Sequence, residues 1–61
     1  MRLKELRLSK GNSQAQVGKA IGCSANTYSR YEREEREPDI NTLKILSKYF
    51  DVSIDYMVCN D

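Results

Sequence analysis

Apolar positions along the chain recur every three or four residues, the spacing of helices, and fall into five short groups separated by turn-forming residues. Leu3 and Leu6 share one face of a first helix, which Gly11 and Asn12 stop. Ser13 opens a second helix, Gln16 three residues on completes a capping box, Val17 and Ile21 form the buried stripe, and Gly22 ends it. Ser24 is the N-cap of a third helix, where Tyr28 and Tyr31 lie three apart on one face. The charged run from Glu32 to Glu37 reads as a solvated helix end and loop, closed by Pro38, into which no helix continues comfortably. Asp39 caps a fourth helix with the stripe Ile40, Leu43, Leu46 and Phe50. After a break at Asp51 and Val52, Ser53 caps a last short helix carrying Ile54, Met57 and Val58. No segment alternates apolar and polar residues long enough for a strand, and no linker or repeat interrupts the series. The pattern predicts an all-α bundle with short connections, one domain over residues 1–61.

Length changes this picture. A chain of 61 residues buries only about 60% of its unfolded surface, so packing or association must supply added stability. Leu8, Tyr49 and Tyr56 fall off the main core pattern. With Ile54, Met57 and Val58, Tyr56 makes the last helix a candidate homodimer surface. The two cysteines, Cys23 and Cys59, form no CxxC pair and there is no histidine, so no zinc-ligand set can be assembled and no cofactor is expected. Cys23 reads as a small buried hydrophobe, and Cys59 as an exposed thiol near the chain end. No signal peptide and no membrane-length apolar run is visible, which points to a reducing cytoplasm. Without a histidine or any visible nucleophile–base pair, an enzyme is not expected. RNA binding is disfavoured because the tyrosines sit at core spacing rather than on a stacking surface.

The net charge of +1 conceals a strong asymmetry. Residues 1–30 carry six basic side chains against Glu5 alone, a net +5, whereas residues 31–61 carry four against eight acids, a net −4. One half is suited to meet a polyanion, unless folding mixes the two in space.

Two helices, Gln14 to Ile21 and Ala25 to about Arg33, are joined by Gly22, Cys23 and Ser24, the length of a helix-turn-helix unit. Such a unit needs a small residue where its helices cross, and Gly18 lies there. It needs a left-handed turn, which Gly22 accepts without a Cβ penalty. Val17, Ile21, Cys23, Tyr28 and Tyr31 supply inner faces, and Asn26, Thr27, Ser29 and Arg30 a polar outer one.

With LKELR at 3–7, SQAQVGKAIGCS at 13–24, SRYE at 29–32, REP at 36–38 and VSIDYM at 52–57, residues 2–58 resemble the Cro/C1-type, phage-repressor-like helix-turn-helix family. The resemblance implies a compact five-helix lambda-repressor-like DNA-binding domain and a transcriptional regulator, most often a repressor. It implies double-stranded DNA as partner, with a homodimer reading a near-palindromic operator, its half-sites about 34 Å apart. By the family pattern, Gln14 contacts a phosphate or base, and Ser24 caps the recognition helix and bonds a phosphate. Ala25, Asn26 and Arg30 face base edges, Thr27 and Arg33 touch the backbone, and Arg7 and Glu32 form a buried salt bridge. The chemistry agrees: asparagine pairs bidentately with adenine, arginine with guanine, and an alanine methyl meets that of thymine.

The chain departs from the family where Asn-Gly and a basic residue commonly follow SRYE; here stand Arg33, Glu34 and Glu35. The missing glycine leaves helix 3 free to run further, and two acids near the phosphate path weaken non-specific binding. Asn12 replaces a usual apolar residue and Gly18 a usual alanine. The acidic run also supports an alternative, a protein-interaction module that keeps the fold without binding specific DNA.

Overall fold

The computed structural model describes residues 1–58. Five helices follow one another: α1 (Leu3–Lys10), α2 (Gln14–Ile21), α3 (Ala25–Glu32), α4 (Ile40–Phe50) and α5 (Ile54–Val58). No strand occurs among the described residues, and no helix there is long and apolar enough to cross a membrane. Cys59 lies outside the described residues.

The starts follow the capping signals. Ser13 Oγ accepts from the Gln16 amide at 3.1 Å while Gln16 Oε1 accepts from the Ser13 amide at 2.8 Å, a reciprocal box. Ser24 Oγ accepts from Thr27 N at 3.1 Å, Asp39 Oδ1 from Thr42 N at 2.8 Å, and Ser53 Oγ from Tyr56 N at 3.1 Å. Each bond satisfies an amide that the first turn of a helix leaves without a partner.

The first four helices end in one way. A residue with left-handed backbone follows the last turn, and two amides fold back onto carbonyls of that turn. At α1 these are Gly11 N to Leu8 O and Asn12 N to Arg7 O; at α2, Gly22 N to Lys19 O and Cys23 N to Gly18 O. The same pair of bonds closes α4 at Asp51 and Val52, and closes α3 through Glu34 N to Tyr31 O and Glu35 N to Arg30 O. Helix 3 therefore does not run further: it stops at Glu32 although no glycine is present, and Glu34 takes φ +59° where the family commonly has glycine. The two backbone bonds offset a left-handed conformation that costs a residue with a Cβ about 1–2 kcal/mol. Glu34→Gly is accordingly expected to stabilise the fold by roughly 0.5–1 kcal/mol, part of the relief being returned as glycine's greater unfolded-state freedom. Its ion pair with the Met1 ammonium, 3.4 Å across an exposed surface, is a small loss. An unchanged or lower urea midpoint would count against strain at this position.

Every helix contributes to the core. Leu3, Val17, Tyr28, Tyr31, Leu46, Phe50 and Met57 are buried together. Leu6, Ile21, Cys23, Leu43, Tyr49 and Val52 pack half-buried around them. The two tyrosines of α3 are core residues, as their spacing predicts. Ile40 departs from the predicted stripe: it stands at the first position of α4, projects past the edge of the core and is 68% exposed. Leu8, Tyr56 and Val58 also face outward, whereas Met57, expected beside Tyr56 on a homodimer surface, is fully buried in this chain's own core because α5 turns it onto Leu3 and the rest of the cluster. Tyr49 does not, because its hydroxyl donates to Asn12 Oδ1 at 2.6 Å; this bond gives a purpose to the polar residue at a usually apolar position. Arg2 N donates to Met57 O at 2.8 Å and fastens the start of α1 to α5.

Candidate nucleic-acid interface

Helices α2 and α3 cross where Gly18 has no side chain. A Cβ there would stand 3.0 Å from the carbonyl oxygens of both Cys23 and Ser24. The close crossing lets the turn at Gly22 (φ +84°) deliver Ser24 as the cap of α3. Ser24 Oγ also donates to Thr27 Oγ1 at 3.1 Å, so the first turn of α3 is held by two bonds from one side chain.

Burial of Tyr28 and Tyr31 fixes the rotation of α3 about its axis. The face opposite them presents Asn26, Arg30 and Arg33, spaced i, i+4 and i+7, as one exposed stripe. Ser24 and Ala25 lie exposed at the amino end of the helix, and Thr27 is half-buried beside them. Asn26, Arg30 and Arg33 thus share one face of α3, with Ala25 and Thr27 on its two flanks and Ser24 at its amino end. Arg33 ends the stripe at the C-cap, its Nε 3.3 Å from a carboxylate oxygen of Glu35. Both side chains are more than half exposed, so this pair restrains Arg33 only weakly.

Gln14, the first residue of α2, is half-buried rather than free: its Nε2 donates to Glu32 Oε1 at 3.0 Å. Glu32 is also the partner of Arg7, whose Nε lies 2.6 Å from Oε2, with the two side chains only 12% and 4% exposed. Arg7 Nη1 donates in addition to Asn12 O at 3.0 Å. One carboxylate therefore joins α1, α2 and α3. Burial pushes the Glu32 carboxyl up, but the bonds from Arg7 and Gln14 more than offset this and hold it below its ordinary value. The same bond raises the Arg7 guanidinium, against the opposing effect of burial. Burial also raises the Cys23 thiol, in keeping with an inert, partly buried side chain in the turn.

Sequence reasoning passed over Lys4. It lies three residues before Arg7 on α1, the same helix face, and joins Arg7, Ser13, Gln14, Glu32 and Arg33 in lining an open notch beside the start of α2. That spacing was the available signal. On the far side of Arg33 the surface turns acidic, with Glu34, Glu35 and Glu37 all exposed.

The sequence model of the helix-turn-helix family matches residues 3–57, nearly the whole of this architecture. The chain belongs to the Cro/C1-type helix-turn-helix family. Among its relatives, the HTH-type transcriptional regulator ImmR of Bacillus subtilis (strain 168) is 40% identical over 60 residues, covering 98% of this chain and 47% of ImmR. The SPbeta prophage-derived regulator YonR of the same bacterium is 40% identical over 57 residues, covering 93% and 53%. The cryptic phage CTXphi transcriptional repressor RstR of Vibrio cholerae is 32% identical, covering 93% and 51%. The chain spans about half the length of the curated relatives it matches. In fold it is similar to the P22 c2 repressor, solved in complex with a synthetic operator, with a TM-score of 0.91 and 37% identity over 98% of this chain and 91% of that one. The helix-turn-helix assignment and the all-α, five-helix architecture thus agree with the sequence reading.

Proposed function

We propose that this helix-turn-helix chain binds double-stranded DNA in a sequence-specific way and acts as a transcriptional repressor, with α3 lying in the major groove. The observation that carries the reading is the exposed stripe of Asn26, Arg30 and Arg33, set in rotation by the buried tyrosines behind it. Asn26 and Arg30 read base edges, Ala25 meets a thymine methyl, and Ser24, Thr27, Gln14 and Arg33 hold the backbone. The tie from Gln14 to Glu32 supports this role, since it orders the side chain before DNA arrives. Two copies bind together through the 52–58 segment, where Tyr56 and Val58 are 49% and 40% exposed, and so read a near-palindrome. A regulator of this kind would meet its operator in the cytoplasm.

Selection from a random duplex library, followed by binding titrations for wild type and Arg30→Ala, tests the reading. The expected winner is a near-palindrome, and Arg30→Ala loses about 1–3 kcal/mol on it while relaxing the preference at one base pair of each half-site. Enrichment without symmetry would remove the two-copy arrangement. Failure of any sequence to enrich would remove sequence-specific binding.

The exposed acids Glu34, Glu35 and Glu37 favour a second reading, a module that keeps the fold and engages a protein instead. A flat dependence of any DNA binding on salt is its signature, because phosphate contacts release counterions.

A further inference from the structure

We propose that Lys4 of α1 is an additional anchor for the DNA backbone, its ammonium holding a phosphate diester in the notch it shares with Gln14 and Arg33. The inference rests on the DNA-binding reading above and extends the contact surface beyond the α2–α3 unit.

The other side-chain cations of α1 and its start are already engaged. Arg2 lies against Glu5 at 3.2 Å and over the ring of Tyr56 at 4.9 Å. Lys10 sits over the ring of Tyr49 at 5.0 Å. Arg7 is committed to Glu32 and to the Asn12 carbonyl. Lys4 is exposed and makes no ion pair among the described residues. Its side chain instead borders the notch, on the opposite helix from Arg33.

The notch is electrostatically suited to an anion for a second reason. Its one lining carboxylate, Glu32, is 4% exposed and receives donors from Arg7 and Gln14, so its charge is answered inside the protein. The exposed cations left at the rim are the ammonium of Lys4 and the guanidinium of Arg33, the latter 3.3 Å from the exposed Glu35 carboxylate, so Lys4 is the rim cation without an ion-paired acid among the described residues. The acids of the α3–α4 loop lie beyond Arg33 in sequence, and none of Glu34, Glu35 and Glu37 lines the notch. A phosphate beside the recognition helix therefore meets favourable charge on the α1 side and unfavourable charge past the end of α3. Lys4 draws the backbone toward the side on which it is not repelled.

The test compares Lys4→Gln with Lys48→Gln, an equal loss of charge on α4 away from the notch, and with Lys4→Arg, which keeps the cation. Binding is measured across salt on the duplex selected for the wild type and on an unrelated duplex of the same length. Lys4→Gln is expected to reduce the slope of log affinity against log salt by about one and to weaken both duplexes by a similar factor, because a phosphate contact carries no sequence information. Lys4→Arg is expected to restore the slope, and Lys48→Gln to leave it at the wild-type value. Thermal melts of all three should match the wild type, since both lysines are exposed. A Lys4→Gln slope equal to that of Lys48→Gln overturns the anchor while leaving DNA binding in place. A flat wild-type slope overturns both readings together.

Discussion

Glu32→Ala is expected to destabilise the fold by roughly 3–5 kcal/mol, the effect of leaving the Arg7 guanidinium buried without its counter-ion. A 61-residue domain has a total stability of only about 3–9 kcal/mol, so a large fraction of the variant should be unfolded at room temperature. Three donors, Arg7 Nε, Arg7 Nη2 and Gln14 Nε2, lose their acceptor at once, and with it goes the joint between α1, α2 and α3. Replacing both charges, as Arg7→Met with Glu32→Leu, should recover most of the loss, because two apolar side chains leave no orphaned charge. Urea melts of the single and double variants check this; a double variant as unstable as the single would mean that the pair matters through geometry rather than through charge. The pH dependence follows from the direction of the Glu32 shift. Its folded value lies below the ordinary 4.5, so the stability it contributes is complete above that pH and is lost as pH falls through the lower folded value. Asp39 shifts in the same direction, through the Thr42 amide it caps, and also weakens in acid. Wild type should thus show a steep acid limb, and Glu32→Ala a shallower one in which Asp39 still acts.

Four of the five helix starts were legible because each depends on one short polar side chain at a fixed offset from the amide it caps: Ser13, Ser24, Asp39 and Ser53 stand before their helices, whereas α1 begins after Arg2 with no side-chain cap. Two of the ends were legible for a similar local reason, since Gly11 and Gly22 mark left-handed positions. The end of α3 was not, because Glu34 adopts that conformation against its own preference, and the bonds that hold it there belong to the backbone. Side-chain bonds between distant parts of the chain were hidden as well. Asn12 finds Tyr49 across 37 residues, and Gln14 finds Glu32 across 18; neither pairing has a local signal. The exposed stripe of Asn26, Arg30 and Arg33 was readable because burial of Tyr28 and Tyr31 dictates what the opposite face of α3 shows. The place of Lys4 was not, since it depends on how α1 packs beside α2.

Gly18→Val is expected to cost about 3 kcal/mol of stability, near the top of the range for overpacking a close-packed contact. The side chain at this position points at the turn of the helix-turn-helix rather than into a flexible part of the core. Its Cβ alone would meet Cys23 O and Ser24 O at 3.0 Å and the Ser24 carbonyl carbon at 3.1 Å, and valine adds two methyl groups beyond it. These neighbours are backbone atoms, held by Cys23 N to Gly18 O at 2.8 Å and by Tyr28 N to Ser24 O at 3.0 Å, so they cannot turn aside as the tip of a lysine would. Relief requires α3 to move away from α2, which displaces Ser24 and tilts the stripe of Asn26, Arg30 and Arg33 proposed to face the groove. DNA affinity should therefore fall by more than the loss of folded protein explains, when measured at a temperature where the variant remains mostly native. Gly18→Ala should lose less, because alanine gains about 1 kcal/mol of helix propensity over glycine and adds only the one carbon. A valine variant that melts with the wild type would show that the crossing opens freely and that glycine here is incidental. One that melts early but binds DNA with native affinity per folded molecule would separate the packing of the unit from the aim of its recognition helix.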